Sequence, residues 1–469
     1  MSRVGAAVNQ TFASLRIFNY RLWFIGALVS NMGAWIQRIG QDWLVLRELT
    51  QNSGLAAGIV TALQFLPVLF LSAWAGVLAD RLPRRKLLMF TQGGQGVLAF
   101  GLGALVLFGH AQLWHVYVFA FLLGCVTAID APVRQTFVAE MVPIDSLPNA
   151  IGLNSASFNS SRLVGPALAG FLIQAFGTGW AFVINGVTFA ATIAGLALMR
   201  QAQLRVLPSV PRQKGQIKQA IAYIRHRPGI WLILVMVGVI SCLGFNSQLT
   251  IAMMATQVFN RQAGDFGLLS SIFGIGALIG ALMAARRSHP RLRLIIAAAI
   301  GFAAASAVSA VMPTYLTFGL AGVFVGLFTL TLLTAANATV QLSTTESMRG
   351  RVVALYMLVN QGATPIGSPI IGWVSQQFGA RWAIGLGAIA AAAVTVFALI
   401  WLRRNWKLTG HLRGFPPRLV VTRGPERKAV VRGASDSSSV VIRRPMSPVA
   451  DPNSSVTIDD DDSIGDYTR

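Results

Sequence analysis

Charged residues are scarce in this chain of 469 residues. Asp, Glu, Lys and Arg together make up 12%, against about 25% in an average soluble domain. The deficit excludes a disordered chain as a whole and argues against a soluble one. Acids are scarcer still, 16 Asp and Glu against 38 Lys and Arg, leaving a formal net charge of +22. Cysteine is limited to Cys125 and Cys242, which excludes a disulfide framework or a Cys-rich metal site. Both lie in apolar runs, where Cys acts as a small apolar residue. The five histidines (His110, His115, His226, His289, His411) show no metal-ligand spacing. The chain lacks the G-x-x-x-x-G-K-[ST] phosphate loop, and no Ser, His and Asp stand in a hydrolase context. We therefore expect no enzyme, no metal and no cofactor.

What is abundant is apolar: 54% of the residues, with a mean hydropathy of +0.61. Runs near twenty residues recur, each long enough to cross a hydrocarbon core of about 30 Å as a helix. The ten-residue alternation of a membrane β-barrel is missing. The runs predict twelve spans: 22–46, 55–79, 87–108, 113–134, 150–175, 179–199, 229–256, 264–286, 292–311, 314–340, 352–376 and 380–403. The first run has no small-residue cleavage site and is expected to be retained.

The excess positive charge does not point to nucleic acid, because it sits in alternate loops. Arg3, Arg16 and Arg21 precede the first span, and Arg81, Arg84, Arg85 and Lys86 follow the second. Seven Lys and Arg lie in 200–228 with no acid, and Arg286, Arg287, Arg291 and Arg293 follow the eighth span. The opposite loops hold little more than Arg47, Arg261 and Arg381. By the positive-inside rule both termini are expected in the cytoplasm of a cell-membrane protein.

The basic stretch divides the chain into a six-helix bundle over 1–199, a connection over 200–228 and a second six-helix bundle over 229–403. Within the connection, Ile217, Ile221 and Ile224 recur at helical spacing, predicting an amphipathic interfacial helix. Residues 404–469 are rich in Ser, Pro, Gly and Arg and end in an acidic run, Asp459–Asp462; such a composition predicts a disordered tail. Its basic part, 404–444, is a candidate for contact with anionic lipid.

A repeat relates the two halves. Residues 165–181, GPALAGFLIQAFGTGWA, match 367–383, GSPIIGWVSQQFGARWA, at an offset of 202. Seven positions agree: Gly165/Gly367, Gly170/Gly372, Gln174/Gln376, Phe176/Phe378, Gly177/Gly379, Trp180/Trp382 and Ala181/Ala383. Parallel halves of this kind are a known transporter plan.

Four segments carry a family resemblance. They are GVLADRLPRRK (76–86), AIDAPVRQTFVAEMVP (128–143), NSASFNSSRLVGPALAG (154–170) and RGRVVALYMLVNQGATPIGSPIIG (349–372). In this order they resemble the major facilitator superfamily, in the branch holding enterobactin exporters and transmembrane secretion effectors. Gly76, Asp80, Arg81 and Arg84 match the superfamily's cytoplasmic loop signature, with Pro83 in place of a second Gly. The resemblance implies a latch between the bundles, Asp80 facing the N-terminus of the eleventh helix. Gly165, Pro166 and Gly170 resemble a helix pivot found in proton-coupled exporters, with serines in place of the upstream glycines. A monomer is also implied.

Ionisable residues within spans are costly and are functional candidates. Arg38 and Asp42, and Asp130 and Arg134, are four apart, so each pair shares a helix face and is open to self-neutralisation. Asp130 falls about 25 Å into its helix and is expected to join the Asp80 latch with Arg134. Arg162 falls about 18 Å in, near the midplane, and must face an acid or a cavity. Asp42 is a candidate proton carrier. Asn31, Gln41, Gln64, Asn246, Gln248, Asn337, Asn360 and Gln361, with Trp35, Trp43 and Phe65, are candidate cavity residues.

The expectation is a secondary transporter, driven by an ion gradient, protons foremost. Its substrate would be a small compound that is bulky or lipophilic and not highly charged: a siderophore, secondary metabolite or drug. Export is implied by the resemblance. Import by proton symport, or a non-transporting sensor or scaffold acting through the tail, are the alternatives.

Overall fold

A computed structural model describes residues 11–205, 216–285, 292–406, 409–413 and 418–422. Residues 1–405 form one unit. Its helices are α1 (Phe18–Trp43), α2 (Gly54–Arg81), α3 (Arg84–Leu107), α4 (Leu113–Met141), α5 (Leu147–Phe176) and α6 (Thr178–Ala197) in the first half. A short α7 (Gln216–Arg225) follows. The second half holds α8 (Pro228–Leu243), α9 (Ser247–Met253), α10 (Ala263–Ala285), α11 (Leu292–Val311), α12 (Tyr315–Leu342), α13 (Glu346–Gly362), α14 (Thr364–Phe378) and α15 (Ala380–Trp406).

Among the described residues, nine helical stretches are long and apolar enough to cross a bilayer. The expected spans 22–46, 150–175 and 352–376 also fall on helices, α1, α5 and α13–α14, but not among those nine. These are the helices with the most polar positions, including Arg38, Asp42 and Arg162. The outside of the bundle stays apolar: Phe70 is 66% exposed and Leu320 58%. Such a surface suits lipid and not water.

Two expected spans are interrupted. The span 229–256 breaks at Gly244–Asn246, between α8 and α9, and 352–376 breaks at Ala363, between α13 and α14. Pro365, at the start of α14, lacks the amide a continuous helix would use. At Ala363 the backbone keeps helical dihedrals; the α8–α9 junction is the irregular one, of the kind tolerated in a membrane bundle where it lines a cavity.

The expected interfacial helix forms as α7, but its inward face differs. Ala220 and Ile224 are buried and Ile221 is 52% exposed. The reason is docking: α7 packs on α8 and α13, with the Thr345 amide donating to the Tyr223 hydroxyl at 3.2 Å.

The second unit, 406–469, contains an antiparallel ribbon, β1 (Thr409–Arg413) and β2 (Arg418–Thr422), pairing Thr409 with Thr422 and Arg413 with Arg418. These two strands lie within the stretch expected to be disordered. Leu419, Val420 and Val421 favour a strand, locally overriding the polar composition. The rest of the tail lies outside the described residues.

Candidate functional site: a central cavity and a paired seal

A cavity of about 300 Å³ lies between the two halves. From the first half, α1 supplies Trp35, Arg38, Gln41 and Asp42, α2 supplies Thr61, Gln64 and Phe65, and α5 supplies Phe158 and Arg162. From the second come Phe245, Asn246 and Gln248 at the α8–α9 break, Ser270 and Phe273 on α10, Thr329 on α12 and Thr364 at the start of α14. Both helix interruptions thus open onto it. Asp42, Arg38, Arg162, Gln64 and Asn246 are thus brought together around one cavity.

Asn337 and Asn360 are not. Asn337 accepts a hydrogen bond from Gln341, and Asn360 accepts one from Ser241 at 2.8 Å. Each ties helix to helix or turn to turn, the ordinary use of a polar side chain in a membrane bundle. Thr61, Phe158, Phe245, Ser270, Phe273 and Thr329 also line the cavity; no sequence signal marked them, because Ser, Thr and Phe are common on lipid-facing and packed faces alike.

Arg38 and Asp42 do not close the ion pair that their spacing left open. Among the described residues, ion pairs within 4 Å join Arg84 to Glu140 and Arg134 to Asp130. Arg38 instead lies over Trp35 and Phe65, 5.6 and 5.4 Å from the ring centroids, a favourable cation–π geometry. Asp42 and Arg162 are each within electrostatic reach of Arg38. Gln248 approaches Asp42 from the other half. Two buried polar atoms around the cavity, Gln41 Nε2 and Asn246 Oδ1, have no hydrogen-bond partner.

The two halves are joined at the end where α1 stops and α2 begins. Gln376 Oε1 on α14 accepts from the Ser53 hydroxyl at 2.9 Å and the Leu55 amide at 3.3 Å. Gln174 Oε1 on α5 accepts from the Gly264 amide at 3.1 Å. Each glutamine thus satisfies an orphan amide at the start of a helix in the opposite half, α2 in one case and α10 in the other. Below each glutamine the backbones touch: a methyl on Gly372 would collide with the Gly54 carbonyl, and one on Gly170 with the Ala263 carbonyl. Arg47 adds bonds to Asn260 Oδ1 at 2.7 Å and the Thr256 carbonyl at 3.1 Å. Gln257 donates to the Asn52 carbonyl at 2.9 Å.

The repeat found in the sequence therefore encodes this seal twice. Gly177 and Gly379 close α5 and α14 at φ of 83° and 92°, a region open essentially to Gly alone. Trp180 and Trp382 stand exposed at the same end, as interfacial anchors do.

The residues of the expected pivot meet this seam only in part, since Gly165 packs on α1 of its own half while Pro166 and Gly170 face α10. Gly165 sits against the Trp35 side chain, the Pro166 carbonyl against Gly267, and Gly170 against α10; α5 continues through Pro166 to Phe176.

At the other end the expected latch is only partly described. Both Gly76 and Asp80 lie on α2, but the surroundings of Gly76 and the side chain of Asp80 fall outside what is described, and Arg81 is exposed. Asp130 is buried and accepts from Thr91 at 2.7 Å and Gln92 at 2.8 Å. With its Arg134 pair at 3.0 Å, this ties α4 to α3. Arg84 pairs with Glu140 at 2.5 Å, an acid the sequence reading passed over. Its signal was present: few acids lie before the tail, and Glu140 follows the fourth expected span on the side where Arg84 precedes the third.

Comparison with known proteins agrees with this architecture. A family model described as transmembrane secretion effector matches residues 9–421. The staphyloferrin A transporter of Staphylococcus aureus is 22% identical over 392 residues, 83% of this chain and 97% of that protein. The enterobactin exporter EntS of Salmonella typhimurium is 24% identical over 388 residues, covering 79% and 87%. Among solved structures, a bacterial homologue of the human lysosomal transporter Spinster, inward-facing and occupied, superimposes with a TM-score of 0.67 at 13% identity, covering 83% and 97%. The D-xylose-proton symporter gives 0.59 at 14%, covering 81% and 96%. The chain belongs to the transmembrane secretion effector family of the major facilitator superfamily, and is a multi-pass transporter of the cell membrane.

Proposed function

We propose that this protein is a secondary exporter, moving a small bulky compound outward by alternating access, with protons as the coupling ion. The observation that carries the reading is the cavity lined from both halves beside a two-fold repeated seal. A transporter of this kind needs a site reachable from alternate sides. Paired helix caps that engage or release together suit the switch.

In this reading twelve spans form two six-helix bundles, 1–199 and 229–403, joined by 200–228, and both termini are cytoplasmic. The sealed end is then the outer one, and the state is inward-facing. Asp80, with Gly76, Arg81 and Arg84, forms the cytoplasmic latch that engages when the outer seal opens. Asp42 carries the proton, since it is the acid at the cavity, and Arg162 holds substrate. Two of the relatives are a staphyloferrin A transporter and an enterobactin exporter, which supports a siderophore or similar metabolite as cargo.

The test is an untargeted comparison of compounds in cells and medium, between a deletion strain and an overexpressing strain. A compound retained by the deletion strain and enriched outside the overexpressor is the expected result. The reverse pattern would make the protein an importer, and no difference across growth conditions would favour the sensor or scaffold.

A further inference from the structure

The cavity's charge does not balance. Arg38 and Arg162 both line it, with Asp42 as the acid among the lining residues. No ion pair within 4 Å links these three among the described residues. Two guanidiniums offer donors in a fork that fits carboxylate or phosphate oxygens. Among the neutral groups, Gln41 Nε2 is a donor and Asn246 Oδ1 an acceptor without a partner, while Gln248 turns its amide toward Asp42. Gln41 and Asn246 are 2% and 5% exposed, so these atoms are not solvated at a surface. A buried donor left unmade is costly, and two guanidiniums with the Gln41 amide lining one space call for an acceptor-rich occupant. The remaining wall is aromatic, with Phe158, Phe245 and Phe273 beside the Arg38 platform.

We propose that the cavity binds an organic acid, its anionic oxygens held between Arg38 and Arg162 and its apolar body against the phenylalanines. The inference rests on the transporter reading and sharpens its substrate class. It departs from the sequence expectation of a weakly charged substrate. Asp42 then acts as the resident counter-ion. While ionised it competes with the substrate's acid for Arg38. Once protonated it leaves both arginines to the substrate, so proton loading at Asp42 and anion binding favour one another.

The cavity's preference can be read without knowing the substrate. In full-length protein with Cys125 and Cys242 replaced by Ala, Thr329→Cys places a thiol in the cavity wall. Its labelling by an anionic and a cationic methanethiosulfonate is compared in detergent, each rate normalised to that with a free small thiol. The anionic reagent should be favoured at least tenfold. Arg162→Gln should lower that ratio severalfold, and Asp42→Asn should raise it. Equal rates, a preference for the cation, or a ratio unmoved by Arg162→Gln would overturn the proposal. The variants' melting profiles check that they are folded. The outcome is separable from the transporter reading: measured efflux with a cation-preferring cavity sinks only the organic-acid inference. Anion preference with no flux in either direction sinks only transport. A compound found to accumulate in the deletion strain should carry a carboxylate, phosphate or comparable acid. A basic amine would count against the proposal.

Discussion

Asp130 illustrates how a charge buried in an apolar bundle is held. Its carboxylate collects Thr91, Gln92 and Arg134, and Arg134 also lies 5.5 Å from the Trp23 ring centroid. Removing one partner of such a pair strands the other, at a cost of about 3 kcal/mol. Asp130→Ala should therefore lower the melting temperature in detergent clearly, and Asp130→Asn, which keeps an acceptor for Thr91 and Gln92, should lower it less. Equal losses would mean that the hydrogen bonds contribute little. Arg162 is the contrasting case, since it lines the cavity and closes no ion pair among the described residues. Arg162→Ala should abolish transport while the protein still inserts and melts normally. Near-normal flux would move it to a structural role.

At the scale of the element, the seal depends on four helix ends. Each Gln caps a helix of the opposite half, and capping is worth about 1 kcal/mol per site. The double variant Gln174→Ala, Gln376→Ala should shift the population toward the outward-open form by roughly ten- to thirtyfold. Labelling of a cysteine at Thr61 by a membrane-impermeant reagent added outside should rise accordingly, and an unchanged rate would remove the caps from the switch. Gly177 and Gly379 are a separate matter of backbone. Gly177→Ala should cost about 1–3 kcal/mol, because its φ and ψ of 83° and 165° suit Gly almost exclusively; thermal unfolding measures it.

For the whole molecule, hydropathy made the bundle legible because lipid demands long apolar helices whatever their partners. What it could not supply was the neighbour of each polar residue. Asn246 and Asn360 look alike in sequence, yet one lines the cavity and the other accepts from Ser241; which face of a helix turns inward is decided by packing between segments far apart in the chain. The interruptions at Gly244–Asn246 and Ala363 were hidden for a related reason: the apolar runs continue across them. The seal lay partly in view. Gln174 and Gln376 were among the seven repeated positions, but a repeat shows that two sites do the same thing without showing what they touch. The strands at 409–413 and 418–422 do not stand out in the sequence because composition averages over the tail and conceals a local Val-rich segment. Removing 407–469 should leave transport intact, as measured by efflux from cells expressing the shortened chain; loss of efflux with normal insertion would give the tail an active part.

The account's central claim is that the Gln-capped seam must open for each transport cycle. The direct measurement is efflux from cells carrying Ser53→Cys and Gln376→Cys in a background without Cys125 and Cys242, before and after treatment with a short bis-methanethiosulfonate, which joins two thiols through disulfides that a reductant cleaves. Linking these two positions, whose native side chains lie 2.9 Å apart, should stop efflux, and reduction should restore it. Undiminished efflux by fully linked protein would contradict the account.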